Sequence, residues 1–351
     1  MSRAKLTQFV LDHLIWFIVL LVVIFFAFNT NNFLTGQNLI NILLHTSVLG
    51  VMTIGQAIVL MSGNFDLSAE GNVSLVTVLA AWLMLPYQRS AVAQAGGIGW
   101  ELSPYIVIPF MLAVGTLAGW INGMLITRLR MNNFIVTLAM QLILRGIAYV
   151  ISKGAYMPGT PALFNWLGSG HIGPIPVSII VTLLLFVLFG AILSYTRFGR
   201  ELYAVGSNKE AARASGFKPH ITITQAYMIG GFMAAIAGWM LLGRIQSSDP
   251  ELGAGMTLET VAAAVIGGVA LTGGSGTIVG AFAGVLLLSV IDDGLNLVNV
   301  NPYWITGVRG LIILVALLLE AQKVRVKIRA AKEKPKIPGE DPLSQTNVIA
   351  K

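Results

Sequence analysis

Long apolar segments separated by short polar breaks dominate the pattern along this chain. A helix that crosses a bilayer needs about 20 mostly apolar residues, and ten segments approach that length. They cover residues 14–34, 39–61, 68–86, 104–127, 133–152, 175–195, 221–244, 257–272, 277–297 and 302–320. The pattern therefore predicts an all-α, polytopic transmembrane helix bundle of about ten spans.

Glycine-rich breaks weaken the predictions for 39–61, 68–86 and 257–297. Backbone that leaves the helical conformation at membrane depth is tolerated only where protein or water surrounds it. Eight full spans combined with broken or re-entrant helices therefore remain an alternative to ten full spans.

The composition is that of a membrane protein. Of the 351 residues, 56% are hydrophobic and 11% are charged, and the mean hydropathy is +0.79. So little polar surface cannot cover a soluble domain of this size. The chain has no cysteine, which excludes disulfides, thiolate metal sites and cysteine nucleophiles.

The formal net charge of +7 is concentrated near the C-terminus. Seven Lys or Arg residues lie between Lys323 and Lys336, directly after the last apolar segment. This placement is typical of a cytoplasmic flank that faces anionic lipid, and it argues against a nucleic-acid partner. We expect a membrane domain over residues 1–322 and a cytoplasmic tail over 323–351 that is basic at first and then disordered.

Basic residues also predict the orientation of the bundle. With the N-terminus in the cytoplasm, most Lys and Arg residues fall in inside segments, as is usual for membrane proteins. These are Arg3, Lys5, Arg128, Arg130, Arg197, Arg200, Lys209, Arg213, Lys218 and the tail cluster, against Arg89, Lys153 and Arg244 in outside loops. Both termini are therefore predicted to be cytoplasmic.

Two glycine ladders stand out within the apolar segments. Their members are Gly115, Gly119 and Gly123 in the fourth span and Gly276, Gly280 and Gly284 in the ninth. Glycines spaced by four share one helix face and let a neighbouring backbone approach closely. The ladders serve either helix packing within the chain or a seam between two copies.

A polar break at residues 62–72 joins the second and third spans. It holds Asn64, Asp66, Ser68 and Glu70, which lie near the cytoplasmic end of the predicted topology. Such residues could cap a helix start through free backbone N–H groups, or they could line a polar path.

Other charged residues within apolar segments are few. Asp292 and Asp293 close the ninth span and are read either as a solvated helix end or as a contact at an outer mouth. Arg145 is expected to reach the outer surface along its flexible stem. Arg309 is expected to pair with a carboxylate that the sequence does not identify.

Enzyme motifs are absent from the sequence. It has no G-x-x-x-x-G-K-[ST] phosphate-binding loop, and its four histidines lack metal-ligand spacing. We therefore expect no catalysis, no cofactor and no bound metal in this chain.

The segment 199–218 is a polar island in this apolar chain. Glu210, Ala211 and Ala212 are followed by Gly216, after a possible N-cap at Ser207 or Asn208. The pattern predicts a short helix that ends at the glycine. An E-A-A-x-x-x-G string of this kind is similar to the helix that docks into the ATPase in the membrane subunits of ATP-driven importers.

Over residues 35–320 the sequence resembles the ribose-type branch of bacterial ABC importer permeases. The resemblance is carried by NFDLS at 64–68, by MNNFIVT at 131–137, by the Glu210-Ala211-Ala212 string and by the block 246–297. It implies a multi-pass protein of the bacterial cytoplasmic membrane that imports a monosaccharide or related polyhydroxylated solute. The implied partners are ATPase subunits, an extracytoplasmic solute-binding protein and a second permease copy or paralogue.

The resemblance also assigns roles to residues. For ATPase coupling these are Asn208, Lys209, Glu210, Ala211, Ala212, Arg213 and Gly216. For the translocation pathway they are Asn64, Phe65, Asp66, Ser68, Asn132, Asn133 and Asn296, and for the outer mouth Asp249, Glu251, Asp292 and Asp293. The alternative function is an ion-coupled secondary sugar transporter that would use Asp66 and Glu70.

Overall fold

The computed structural model describes residues 14–86, 97–315 and 318. The predicted basic tail lies outside the described residues. The described helices, numbered in chain order, are α1 Leu14–Asn29, α2 Gly36–Met61, α3 Ala69–Met84, α4 Pro104–Arg128, α5 Asn133–Ser152, α6 Ala162–Ser169, α7 Val177–Tyr195, α8 Arg197–Ser207, α9 Lys209–Ala214, α10 Pro219–Ile245, α11 Met256–Ile266, α12 Ile278–Leu297 and α13 Pro302–Val315. The predicted all-α class is confirmed.

Four two-residue strands complete the described elements. They are β1 Met157–Pro158, β2 His171–Ile172, β3 Ile175–Pro176 and β4 Ser247–Ser248. β1 pairs with β4 and β2 pairs with β3, both antiparallel. The first pair joins the loop after α5 to the end of α10, so these strands close one end of the bundle.

Six described helices are long and apolar enough to cross a membrane, namely α2, α4, α5, α7, α10 and α12. Two of them form the centre, because the apolar windows of α2 and α10 are 83% and 72% buried. α12 is also mostly buried, at 67%, whereas α4, α5 and α7 expose most of their apolar side chains, as expected of helices that face lipid. The protein is therefore a multi-pass membrane protein.

Glycine lets α4 lie directly on α10. A Cβ atom on Gly115 would lie 2.7 Å from the Cβ of Ala235, and one on Gly119 would overlap the carbonyl of Tyr227. Gly280 and Gly284 of α12 face α11 in the same way. The ladders therefore face helices of the same chain.

One member of the second ladder was misplaced by the sequence prediction. Gly276 precedes α12 and has a φ of 135°, a conformation that favours glycine. A Cβ there would lie 2.8 Å from the Cα of Val269. Gly276 is thus a turn residue packed against the preceding loop, and the helical ladder of α12 begins at Gly280.

Two of the predicted spans are broken, in that neither is a full helical crossing. Residues 62–68 form a non-helical segment with Ser62, Asn64, Asp66 and Ser68 buried, and α3 follows it from Ala69, close to the predicted start at 68. α3 has 16 residues and α11 has 11, and at a rise of about 1.5 Å per residue α11 covers about half of a bilayer. The bounds predicted for 68–86 are therefore nearly met, the end predicted for 257–272 is wrong, and the alternative with broken helices fits both places.

The two broken spans belong to an internal repeat. α2–α5 and α10–α13 share one order: a long buried helix, a non-helical segment, a short helix, a long helix and a further apolar helix. The two halves run in opposite directions, since the end of α2 and the start of α10 both pack near α8. Inverted repeats with broken helices are common in transporters.

The bundle thus has two distinct ends. We call the end with α8 and α9 the polar-helix end, and the end with α6 and the β1–β4 pair the hairpin end. Trp239 near the end of α10 donates a 2.9 Å hydrogen bond to the carbonyl of Phe164 in α6 at the hairpin end. Asn72 in the second turn of α3 donates to the carbonyls of Gly115 and Gly231, near the middles of α4 and α10. The start of α3 therefore lies about midway between the two ends.

Candidate functional site

The starts of the two short helices meet inside the bundle. The backbone N–H of Glu70 in α3 donates a 3.0 Å hydrogen bond to Thr257 Oγ1 in α11. In return, the N–H of Gly255, the N-cap of α11, donates a 2.9 Å bond to Glu70 Oε2. A carboxylate is favourable here because both helix N-termini carry free N–H groups and partial positive charge. Glu70, predicted near the cytoplasmic end, is in fact near mid-depth.

Glu70 is also the centre of an ion-pair cluster with α5, which we call the Arg145 cluster. Arg145 Nη2 lies 3.2 Å from Glu70 Oε1, and Arg145 Nη1 lies 3.8 Å from Glu251 Oε2. Gln141 donates to Glu70, and Tyr149 donates to Glu251. The three α5 side chains are spaced by four and share one helix face. Arg145, expected to reach the outer surface, instead pairs with a buried carboxylate.

The second half of the chain repeats this arrangement. Arg309 of α13 lies 2.9 Å from Asp292 of α12 through its Nε, and its Nη1 pairs with Glu259 in the first turn of α11. Each short helix therefore carries a glutamate near its start that pairs with an arginine on the last helix of its own repeat. The expected partner of Arg309 is thus a pair of carboxylates.

The non-helical part of the polar break, residues 62–68, is held in place by its own side chains and by α2, α4 and α10. Asp66 Oδ1 accepts from the N–H and the hydroxyl of Ser68, at 2.8 and 2.6 Å. Asn122 donates to Ser68 Oγ at 2.8 Å, and Tyr227 donates to the carbonyl of Phe65 at 2.7 Å. These contacts fix a non-helical backbone within the bundle.

Three buried amide oxygens near this break lack a hydrogen-bond donor among the described residues. They are Gln56 Oε1, Asn72 Oδ1 and Asn122 Oδ1. Each side chain donates through its nitrogen to the protein, so each oxygen can still accept a bond from a hydroxyl group.

The predicted pathway residues fall into two groups. Asn133 Nδ2 lies 3.4 Å from Asn64 Oδ1, which places Asn133 beside the break. Asn132 caps α5 by accepting from the N–H groups of Phe134 and Ile135. Asn296 is exposed near the opposite, hairpin end and donates to the carbonyl of Asp292. The structure therefore brings the other six predicted residues together and leaves Asn296 apart.

The four predicted outer-mouth carboxylates lie toward the hairpin end in two separate places. Asp249 accepts from the N–H of Glu251 at 2.7 Å, and Glu251 belongs to the Arg145 cluster. Asp292 is buried against Arg309, and Asp293 accepts from Asn38 of α2 at 2.7 Å. Asp292 is thus not the solvated helix end considered above.

The predicted short helix in the segment 199–218 is α9. Asn208 caps it by accepting from the N–H groups of Glu210 and Ala211, both at 3.0 Å. Glu210 is exposed and lies 3.1 Å from Arg213. Gly216 ends the turn with a φ of 85°. The cap at Asn208 stabilises this short helix, and its charged side chains remain exposed.

The other coupling residues divide between the two faces of α9. Ala212 is buried against the bundle in a cluster with Val205 and Tyr227. Lys209 is partly desolvated, and this burial lowers the pKa of its ammonium group. The helix thus presents Glu210 outward while it is anchored by an apolar contact.

Glycine connects α8 to the polar break. A Cβ on Gly206 would overlap the carbonyl of Met61 and would lie 2.6 Å from the backbone nitrogen of Gly274. The N–H of Gly274 donates a 2.9 Å bond to that same carbonyl of Met61. Three backbones meet here without side chains between them, so α8 contacts the start of the break directly.

Comparisons with known proteins agree with this architecture. A family described as "Branched-chain amino acid transport system / permease component" matches residues 38–317. The chain belongs to this permease family. The ribose import permeases of Escherichia coli strain K12 and Bacillus subtilis strain 168 are 33% and 34% identical to it, over 83% of the chain and 88% and 87% of their own lengths. The L-arabinose transport system permease of Escherichia coli K12 is 33% identical over 84% of the chain and 86% of its length. No solved structure matches the chain.

Several residues of this permease were missed as site residues by sequence reasoning. Gln141, Thr257 and Glu259 went unnoticed, and Glu70 was noted only as part of the break and as a carboxylate for the alternative transporter. The signal available was the spacing of Gln141, Arg145 and Tyr149 by four on an otherwise apolar helix. Among the described residues, no group of three or more His, Cys, Asp or Glu side chains is placed to hold a metal ion.

Proposed function

We propose that this permease is the membrane-spanning subunit of an ATP-driven importer for a monosaccharide or related polyhydroxylated solute. The observation that carries the proposal is the exposed, capped helix α9 next to α8, whose Gly206 touches the backbone of the polar break. Its relatives are named as ribose and L-arabinose permeases. The three amide oxygens at the break are buried in this conformation, and a movement that opens the break would expose them to water or to solute hydroxyl groups.

The proposed partners follow from the two ends of the bundle. ATPase subunits would dock on α9 and the outward face of α8 at the polar-helix end. A solute-binding protein would dock at the hairpin end, where Glu251 is exposed. A second permease copy or a paralogue would complete the pathway against an exposed apolar face of this chain.

The alternative of an ion-coupled secondary transporter has less support. A coupling carboxylate must bind and release its ion during transport. Glu70 is paired with Arg145, and Asp66 accepts two bonds from Ser68. The named relatives include an L-arabinose ABC transporter permease of Azospirillum brasilense, 34% identical over 82% of the chain.

Uptake is expected to require ATP and the two partners. In liposomes that contain this permease alone, none of a panel of radiolabelled pentoses and hexoses should accumulate under a proton or sodium gradient. With the ATPase and the loaded binding protein added, at least one of these sugars should accumulate, and only when ATP is present. Gradient-driven accumulation by the permease alone would favour the secondary transporter.

The polar-helix end is expected to be cytoplasmic, as the distribution of basic residues indicates. Because the chain has no cysteine, single substitutions report the position of each site. In intact spheroplasts, a membrane-impermeant maleimide should label His171→Cys at the hairpin end and should not label Ser215→Cys after α9. Both positions are exposed, so both should be labelled once the membrane is permeabilised. Labelling of Ser215→Cys in intact cells would reverse the orientation.

A further inference from the structure

We propose that Arg145 is a positioning residue that moves between Glu70 and Glu251, and that docking of the binding protein on residues 246–255 drives this exchange. The inference rests on the proposed function, because it needs a binding protein at the hairpin end. In this way, docking of the binding protein at the surface would change the contact between the starts of α3 and α11 at mid-depth.

Arg145 already has two acceptors. Its Nη2 is 3.2 Å from Glu70, and its Nη1 is 3.8 Å from Glu251. The first distance is a hydrogen bond, whereas the second is an ion pair without one. Its Nε is buried and has no acceptor among the described residues. An arginine that uses part of its donor fork can gain bonds by a small movement toward the second carboxylate.

The two carboxylates differ in their exposure to water. The Glu70 side chain is 9% exposed, and that of Glu251 is 56% exposed. Glu251 lies in the non-helical segment between α10 and α11, at the hairpin end. A protein that docks on this segment covers Glu251 and removes water from it, which strengthens its attraction for Arg145.

Glu70 joins the two repeats. It accepts from Gly255 at the start of α11, and its own N–H donates to Thr257. When Arg145 leaves, the Glu70 carboxylate loses its cation and keeps only bonds from neutral donors in a buried place. That contact between α3 and α11 is then weakened, so the two repeats can separate at mid-depth.

The corresponding cluster around Arg309 differs from the Arg145 cluster. Arg309 holds Asp292 and Glu259 at bonding distance simultaneously, and both carboxylates are largely buried. It therefore has no exposed acceptor toward which to move. The Arg309 cluster is a fixed support for α11, whereas the Arg145 cluster can switch.

The test uses the complete complex of permease, ATPase and binding protein in nanodiscs. ATP hydrolysis is measured without and with the loaded binding protein, and uptake of the sugar that the wild type imports best is measured in liposomes. The variants are Glu70→Gln, Arg145→Met, Arg145→Lys and Glu251→Gln. The control is Arg244→Met, which removes an exposed cation from the last turn of α10.

Glu70→Gln and Arg145→Met should raise ATP hydrolysis without binding protein by about fivefold or more, the lower range of coupling between sites. Uptake should fall, and the ratio of ATP hydrolysis with binding protein to hydrolysis without it should approach one. Arg145→Lys should lie between these variants and the wild type, because it keeps the charge but lacks the fork. Glu251→Gln should lose most of the stimulation even when the binding protein is saturating, and Arg244→Met should match the wild type.

Two failures are distinguishable. If the wild-type complex shows no stimulation by the binding protein, the proposed function is wrong and this inference falls with it. If the wild type is stimulated and Glu251→Gln keeps the same stimulation, only the exchange is wrong. Should Glu70→Gln fail to assemble, Glu251→Gln still decides, since its exposed side chain leaves the bundle intact.

Discussion

Gly119→Val should leave little folded permease in the membrane. A Cβ at this position overlaps the carbonyl of Tyr227 in α10, and a backbone carbonyl cannot move unless the whole helix moves. α10 is one of the two central helices, so separating it from α4 disturbs the rest of the bundle. Overpacking by side chains alone costs about 1–3 kcal/mol, and we expect a larger loss here. The measurements are the yield of monodisperse protein in mild detergent and its thermal midpoint.

The matched control is Gly146→Val on α5. Nothing lies within 4 Å of a Cβ built at Gly146, and the position is exposed on a lipid-facing helix. Surface substitutions of this kind usually change stability by no more than about 0.5 kcal/mol. If Gly119→Val and Gly146→Val gave the same yield and the same midpoint, the close contact between α4 and α10 would be refuted.

Glu210→Lys should abolish uptake while the permease still inserts and folds. Glu210 is exposed in the first turn of α9, and its ion-pair partner among the described residues is Arg213 in the same helix. Loss of an exposed pair and of a favourable charge at a helix start each costs about 1 kcal/mol or less. A lysine reverses the charge that the ATPase is proposed to meet. The measurements are co-purification of the ATPase with the permease and ATP-dependent uptake in liposomes.

Two further variants show whether the defect of Glu210→Lys comes from the lost pair with Arg213 or from the changed charge. Arg213→Gln removes the same internal pair but keeps the carboxylate, so it should retain most uptake. Glu210→Gln removes the negative charge without adding a positive one, so its defect should be smaller than that of Glu210→Lys. Normal assembly and normal uptake in Glu210→Lys would remove α9 from the ATPase interface.

Several predictions depended only on neighbouring residues, and for these the sequence was sufficient. The long spans follow from local apolar length, and α2, α4, α5, α7, α10 and α12 lie close to their predicted bounds. The short helix α9 and its cap at Asn208 follow from residues within two turns. Local propensity and local capping determine such elements, so they can be read along the chain.

Other predictions failed because their physical cause lies far away in the chain. α11 ends at Ile266, before the predicted end of its span at 272, and Gly267 after it packs against the backbone of Gly280 in α12. Hydropathy averages over such an end, because a buried non-helical segment can be as apolar as a helix. Gly276 was assigned to a helical ladder by spacing alone, although its backbone conformation belongs to a turn.

The pairing of charges was decided only by the tertiary structure. Glu70 meets Arg145 75 residues later and Gly255 185 residues later, and Arg309 reaches back 50 residues to Glu259. In an apolar bundle each buried charge must find an opposite charge or a donor, and the sequence states only that such partners are needed. By itself the sequence determined the class, the long helices and the short helix α9. Which carboxylate neutralises which arginine, and where the two short helices meet, follows from the packing of two inverted repeats against each other.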